Sequence, residues 1–187
     1  KKYLTIRIQP VSKEQAISFY DRSIEEGNEG VMVKILQSTY RPGRRGNLWL
    51  KVKGAHTIDC VILAAEWGHG RRNGMLSNLH LGVLDETGSK YLMVGKTFKG
   101  LTDKMLLWLT RNLPRYMVHE DKWTVYLRPE VVVEIAFNEV QKSPRYESGV
   151  ALRFARVKKI RRDKTAKEIN TVLDLGKFSR IALNGSQ

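Results

Sequence analysis

The chain has 187 residues with 33 Lys and Arg against 19 Asp and Glu, a net charge of +14 and a pI near 10. Its 42% apolar content is enough to close a core, which excludes a wholly disordered chain, and its length allows one large domain or two small ones. The single cysteine, Cys60, excludes an intrachain disulfide and a thiolate metal cage, and its apolar surroundings make it a core thiol.

The charge surplus describes partners and not fold. Nucleic acid leads, with a ribosomal partner, a membrane surface or a thermophile's lysine-rich exterior as alternatives. No run approaches the ~20 apolar residues that span a bilayer, and the opening KKYLTIRIQP lacks a signal peptide's apolar core. The expectation is a soluble, intracellular protein, and a first residue of lysine reads as a fragment or a processed form.

In chain order, residues 3–8 (YLTIRI) alternate as a strand that Pro10 stops. Ser12 with Gln15 forms a capping box for an amphipathic helix over 13–26, which Gly27 ends. EGVMVKIL (29–36) is a β-branched strand, and YRPGRRG (40–46) is a basic turn leading to a strand at LWLKVK (48–53). Alternation puts Trp49, Lys51 and Lys53 on one face, with successive same-face residues ~7 Å apart. Two ammonium groups so placed suit a polyphosphate, and the same pattern suits the polar face of an edge strand.

After Gly54 the texture changes, which makes this the expected domain boundary. Strands are predicted at 57–68, 75–85 and 90–96, separated by the basic glycine turn GHGRRNG and the tight turn ETGS. Thr102 caps a helix over 103–113 that Pro114 follows. Strands come next at 123–127, 131–140 and 150–161, then a capping box at Thr165 and Glu168 opening a helix over 166–174. Three strands, a helix and further strands match an OB-fold, although other small barrels share that order. The stretch RFARVKKIRRDK (153–164) carries seven cations and one acid, with Phe154, Val157 and Ile160 threaded between them, so it calls for an anionic partner. The four histidines, His56, His69, His80 and His119, lack metal-ligand spacing. Glu134 reads as structural, pairing with a barrel arginine, and Trp67, Trp108 and Trp123 as core or interface, with an exposed tryptophan able to stack on a base.

EGVMVK, WLKVK, GHGRRNG, LRPEVVVEIAFNEVQKSPRYESG and RFARVKKIRRDK occur in this order. With them the sequence resembles the ATP-dependent DNA ligases of the covalent nucleotidyltransferase superfamily, most of all the archaeal and bacterial repair type, over about residues 3–178. The resemblance implies a mainly β fold with short helices: an OB-fold Greek-key β-barrel at 55–176, preceded by the C-terminal part of a nucleotidyltransferase (adenylation) domain at 1–54 and followed by a tail at 177–187. It implies the C-terminal part of an enzyme that seals nicks through enzyme–AMP and DNA-adenylate intermediates in DNA repair, replication and recombination. An RNA ligase or capping-type nucleotidyltransferase is the alternative within the superfamily. A non-enzymatic OB-fold nucleic-acid-binding module is the alternative outside it.

In such enzymes a lysine in a Lys-x-Asp-Gly motif attacks the α-phosphate of ATP. No such motif occurs here, nor does Phe-x-Phe-Asp; the nearest string is KVKG at 51–54. This chain alone is therefore expected to be inactive in self-adenylation. By resemblance Glu29 is a metal-holding carboxylate for Mg²⁺ or Mn²⁺, although read by itself it is an ordinary acid at a strand start. Lys51 and Lys53 contact the α-phosphate of the nucleotide, and Lys34 lies near it. Arg161, Asp163 and Lys164 match Arg-x-Asp-Lys, which orients the β- and γ-phosphates when the barrel closes over the site. Arg153 and Arg156 match the preceding arginines, with Ala155 where a proline is usual. Arg71, Arg72, Arg153, Arg156 and Lys158 are the expected DNA contacts, with salt-sensitive affinity. The implied partners are nicked double-stranded DNA and ATP, with no membrane and a monomeric state. A sliding clamp would be a further partner, but no peptide motif points to one. The implied location is the cytoplasm of a prokaryote, in association with the nucleoid.

Overall fold

The computed structural model describes residues 5–39, 42–43 and 46–178, which divide into two compact units, Lys1–Gly54 and Ala55–Gln187. In the first unit, helix α1 (Lys13–Glu25) is capped by Ser12, whose Oγ accepts from the Gln15 amide at 3.3 Å. The Gln15 side chain reaches back one residue further than a capping box requires and accepts from the Val11 amide. Strands β1 (Gly30–Lys34) and β2 (Trp49–Lys53) form an antiparallel ribbon with Gly30 opposite Lys53 and Lys34 opposite Trp49. Neither α1 nor either strand contains a buried residue. Of the strand expected at 3–8, residues 5–8 are in no strand, and residues 3–4 lie outside the described set; among the described residues of this unit the ladder is that of β1 with β2.

The second unit is a β-barrel of the OB type. Its spine is β3 (His56–Trp67), which pairs with β4 (Leu76–Leu84) on one side; β4 in turn pairs with β5 (Tyr91–Thr97). Between β3 and β4 the glycine turn winds into one turn of 3-10 helix at Gly70–Arg72. Helix α2 (Asp103–Asn112), capped by Thr102, buries Leu106 and Leu109 and runs into a 3-10 turn that buries Leu113. Strand β6 (Met117–Glu120) pairs with β7 (Thr124–Leu127), and β7 with the second half of β3. No apolar alternation marks β6 in the sequence, and all four of its residues are exposed.

Two predicted strands are each split in two. The expected strand at 131–140 is β8 (Val132–Phe137) and β9 (Glu139–Lys142), and the one at 150–161 is β10 (Val150–Arg153) and β11 (Arg156–Arg161). Strand β9 pairs with β10, whereas β8 pairs with β3 and β11. The second break lies at Phe154, whose φ of 56° is left-handed and ends any extended run. The core is built by inward residues of β3, β8 and β11 (Ile58, Cys60, Ile62, Val133, Ile135, Val157) with Leu79, Leu81 and Phe137. Cys60 is fully buried, and burial raises its thiol pKa far above the ordinary value, so it acts as a small apolar group.

One irregularity decides which residues of β11 face where. Val157 sits opposite Ile135 and Lys159 opposite Glu134, which leaves Lys158 as a bulge. In an unbroken ladder Lys159 would point into the core and Ile160 out of it. The extra residue instead lets Val157 and Ile160, three apart, both face inward, and puts Lys159 and Arg161 on the outer face with Glu134.

The predicted helix at 166–174 is also interrupted. The Thr165–Glu168 capping box forms, but over a single 3-10 turn, Ala166–Glu168. Asn170 is then claimed by the barrel: its carbonyl accepts from the Leu84 amide and its Oδ1 from the Asp59 amide. A second capping box, Thr171 with Asp174, opens the short helix α3 (Val172–Gly176). Phe178, expected in a loose tail, packs its ring 4.6 Å from His56 and 5.6 Å from Phe137. Residues 179–187 of that tail lie outside the described set.

Candidate functional site

In the first unit, Trp49, Lys51 and Lys53 share the polar face of β2, and Glu29 immediately precedes β1. The Glu29 carboxylate meets both ammonium groups: Lys51 Nζ is 3.3 Å from its Oε2, and Lys53 Nζ also pairs with Oε2. Gly30 makes this approach possible. A Cβ at that position would lie 2.0 Å from the Val52 carbonyl oxygen, and its φ is +145°. Lys53 and Lys51 hold the Glu29 carboxyl below its usual value, so it is an anion at neutral pH. All three side chains keep solvent access, with Lys51 at 57% and Glu29 at 52%. Lys34 is not brought to this group: it lies at the far end of the ribbon with its ammonium 4.0 Å from the Trp49 ring centroid.

In the second unit, Arg161, Asp163 and Lys164 converge with two acids of neighbouring strands. Asp59 of β3 stands opposite Glu134 of β8, and Glu134 opposite Lys159 of β11, all on the outer face that the bulge defines. Arg161 donates from Nε and Nη2 to Asp163, and from Nη1 to both oxygens of Asp59 at 3.1 and 3.2 Å. Glu134 lies 3.8 Å from Arg161 Nη1, the pairing with a barrel arginine that its place in the strand predicts. Lys164 Nζ donates to Asp59 Oδ2 at 2.6 Å. The Asp163 partner, with Asp59 and Glu134 behind it, raises the Arg161 pKa; in turn the guanidinium holds Asp163 far below the usual carboxylate range. Sequence reasoning missed Asp59. Its signal was an acid inside the apolar run TIDCVIL, without a visible partner because Arg161 and Lys164 lie more than a hundred residues away.

A third region of the barrel is basic and aromatic. An open cleft of about 1010 Å³ is lined by Trp67, His69, Arg71, Arg72, Phe98 and Trp123 among others. Trp123 is 51% exposed, with the His69 ring 5.3 Å away and Lys122 Nζ 4.9 Å over its face. Arg71 is exposed, whereas Arg72 spends its Nη1 on the Phe98 carbonyl at 2.6 Å and so ties down the loop after β5. Exposed Phe154 has Arg153 at 5.2 Å and Lys99 at 5.8 Å from its centroid. Arg156 donates to Asn138 Oδ1, and Lys158 is the exposed bulge residue. Of the histidines, His80 is buried against Glu66 and the other three make ring contacts. Among the described residues no group of three or more His, Cys, Asp or Glu is placed to hold a metal ion, and no helix is long and apolar enough to cross a membrane.

Comparison with known proteins covers both units. Residues 3–53 match the model described as ATP dependent DNA ligase domain, and residues 72–164 match the one for the ATP dependent DNA ligase C terminal region. A probable DNA ligase of Saccharopolyspora erythraea is 58% identical over 159 residues, 85% of this chain and 31% of that protein. One from Nocardia farcinica is 53% identical over 167 residues, 89% of this chain and 31% of that protein. The chain thus spans about a third of the curated relatives it matches. Among solved structures, the ligase domain from M. tuberculosis LigD is 26% identical with a TM-score of 0.53, over 80% of this chain and 50% of that one.

Proposed function

Because this chain belongs to the ATP-dependent DNA ligase family, we propose that it supplies the C-terminal part of an enzyme that seals nicks in double-stranded DNA, with ATP as co-substrate. The observation that carries this reading is the Glu29–Lys51–Lys53 group. Two ammonium groups on one strand face, gathered by a single exposed carboxylate, make a compact and solvent-open site for an anion with more than one charged oxygen. Lys51 and Lys53 are the groups that would bind the α-phosphate of the nucleotide and offset the charge that builds on it as the adenylyl group is transferred. Glu29 then exchanges its lysine partners for whatever the bound phosphates leave exposed.

Mg²⁺ or Mn²⁺ fits this donor set only as a shared guest. Glu29 offers one hard oxygen ligand, which suits an ion that keeps waters and takes its other ligands from substrate phosphates. When bound, such an ion neutralises phosphate charge. This chain's own residues orient and hold the phosphates.

Arg161, Asp163 and Lys164 are proposed as the clamp for the β- and γ-phosphates. Arg71, Arg153 and Lys158 on the barrel surface are proposed as contacts to the DNA backbone, with Trp123 and Phe154 as exposed aromatic neighbours. Arg72 and Arg156 support this surface through their bonds to Phe98 and Asn138. The test uses the longer protein that carries this chain, with nicked DNA and labelled ATP. Substituting Lys51→Ala should lower label transfer to the enzyme by on the order of 100-fold, the scale of one lost donor at a developing charge. Sealing unaffected by Lys51→Ala and Lys53→Ala together would overturn the assignment, and sealing of nicked RNA in preference to DNA would overturn the substrate.

A further inference from the structure

The Asp59 carboxylate occupies the very donors that a polyphosphate would need. Arg161 has one guanidinium edge on Asp163 and its Nη1 on Asp59, and its side chain is 16% exposed. Lys164 also donates to Asp59, but at 32% exposure its ammonium still reaches solvent. The Asp59 side chain is only 9% exposed, and its backbone is strapped on both sides: the amide donates to Asn170 Oδ1 at 2.8 Å, and the carbonyl accepts from the Asn170 amide at 3.3 Å. The acid therefore cannot follow the cations. Any rearrangement of this cluster moves Lys164 or Arg161, while Asp59 stays.

We propose that Asp59 is a positioning residue that stands in for phosphate, holding Lys164 until a polyphosphate displaces it while Arg161 stays in place. This rests on reading Arg161, Asp163 and Lys164 as a phosphate clamp. Removing both cations would strand a buried carboxylate, which is strongly unfavourable, whereas removing one leaves it paired. Of the two, Arg161 is the more enclosed and has three acids around it, so it remains. Among the described residues Lys164 bonds directly to one acid, Asp59, with Glu168 near enough to feel its charge, and it keeps spare N–H groups, so it is the cation that leaves. A carboxylate and a phosphoryl group both present a pair of anionic oxygens, so Lys164 exchanges like for like. Consequently the affinity of the clamp is set by competition, and Asp59 weakens it.

The test titrates the 187-residue chain with inorganic tripolyphosphate, reading the Lys164 Nζ and Arg161 Nη1 resonances by NMR. In the unsubstituted chain Lys164 Nζ should shift and Arg161 Nη1, the atom bonded to Asp59, should hold. The variant Asp59→Asn should bind tripolyphosphate on the order of tenfold tighter, because the competing charge is gone, and Lys164→Gln should bind weakest. If Asp59→Asn binds no tighter while Lys164 still responds in the unsubstituted chain, the competition is refuted and the clamp survives. If neither resonance responds, the phosphate reading of the clamp fails and this inference with it. Should Asp59→Asn not fold, the unsubstituted chain decides: Lys164 moving alone supports the exchange, and Arg161 moving with it refutes it.

Discussion

Glu29 and Asp59 each hold two cations of this chain, and they do so on opposite kinds of scaffold. Glu29 gathers Lys51 and Lys53 on a two-stranded ribbon without a buried residue, and Asp59 gathers Arg161 and Lys164 on the outer face of a barrel strand whose inner face is core. The first carboxylate is 52% exposed and the second 9%. The ribbon around Glu29 contains no buried residue, whereas Asp59 lies in the β3–β8 ladder and its amide and carbonyl are both bonded to Asn170, so its geometry is fixed by its neighbours. On the roles proposed above, the difference would give them complementary tasks: an open pair of lysines that an anion enters directly, and an occupied pair of which Lys164 must first let go.

The largest test of this contrast removes one apolar side chain from each scaffold. Phe137 is fully buried in the barrel and touches the His56 and Phe178 rings. Phe137→Ala should cost the barrel about 3–5 kcal/mol, measured as the shift of its urea transition. Val52 on the ribbon's apolar face is 42% exposed, and Val52→Ala should change that transition by less than about 0.5 kcal/mol. Comparable shifts for the two would mean that the ribbon is part of the same cooperative unit.

A second contrast lies in how each region responds to acid. Glu66 of β3 bonds Asn78 and His80 of β4 and Lys96 of β5, a three-strand charge network at the other end of the strand from Asp59. Burial pushes the Glu66 carboxyl up, but the bonds from Lys96, His80 and Asn78 outweigh it and hold the pKa at about 2, below the ordinary 4.5. The folded value is the lower one. The stability this gives is therefore complete above about pH 4.5 and is lost as the pH falls toward 2, at most about 3 kcal/mol. Urea midpoints of the unsubstituted chain and Glu66→Gln should converge over that window. Glu29→Gln, on the ribbon, should leave the pH profile of the barrel unchanged.

The same contrast explains what was legible in the sequence. The helix caps at Ser12 and Thr102, the face shared by Lys51 and Lys53, and the strands expected at 57–68 and 75–85 are local properties, and each is found close to where its residues predict. What was hidden depends on partners distant in the chain. The apolar spacing of three in Val157-Lys158-Lys159-Ile160 is the mark of the bulge, but it reads as noise until β8 supplies the register. Phe154 carries no sign that it turns left-handed, because nothing in a phenylalanine favours that region. The helix after Thr165 has a genuine capping box and still stops after one turn, because β3 and β4 take the groups of Asn170. Asp59 was overlooked for the same reason: it looks like an interruption in an apolar strand until the residues that bind it are in place.

The smallest test compares two identical bonds. Ser12 caps α1 and Thr102 caps α2, each hydroxyl accepting from the amide three residues on at 3.3 Å. Losing such a cap costs about 1 kcal/mol wherever it occurs. What differs is the equilibrium on which that cost falls. Helix α2 buries Leu106 and Leu109 in the barrel core, so it cannot unwind without exposing them, and Thr102→Ala should lower the barrel's global stability by the full amount. Helix α1 has no fully buried residue, so its unwinding is a local event of low cost. Ser12→Ala should therefore speed amide exchange across residues 13–25 and leave the barrel's urea midpoint where it was. Equal shifts of that midpoint for both variants would break the contrast between the two scaffolds, and would require that α1 owe its stability to packing and not to its own hydrogen bonds.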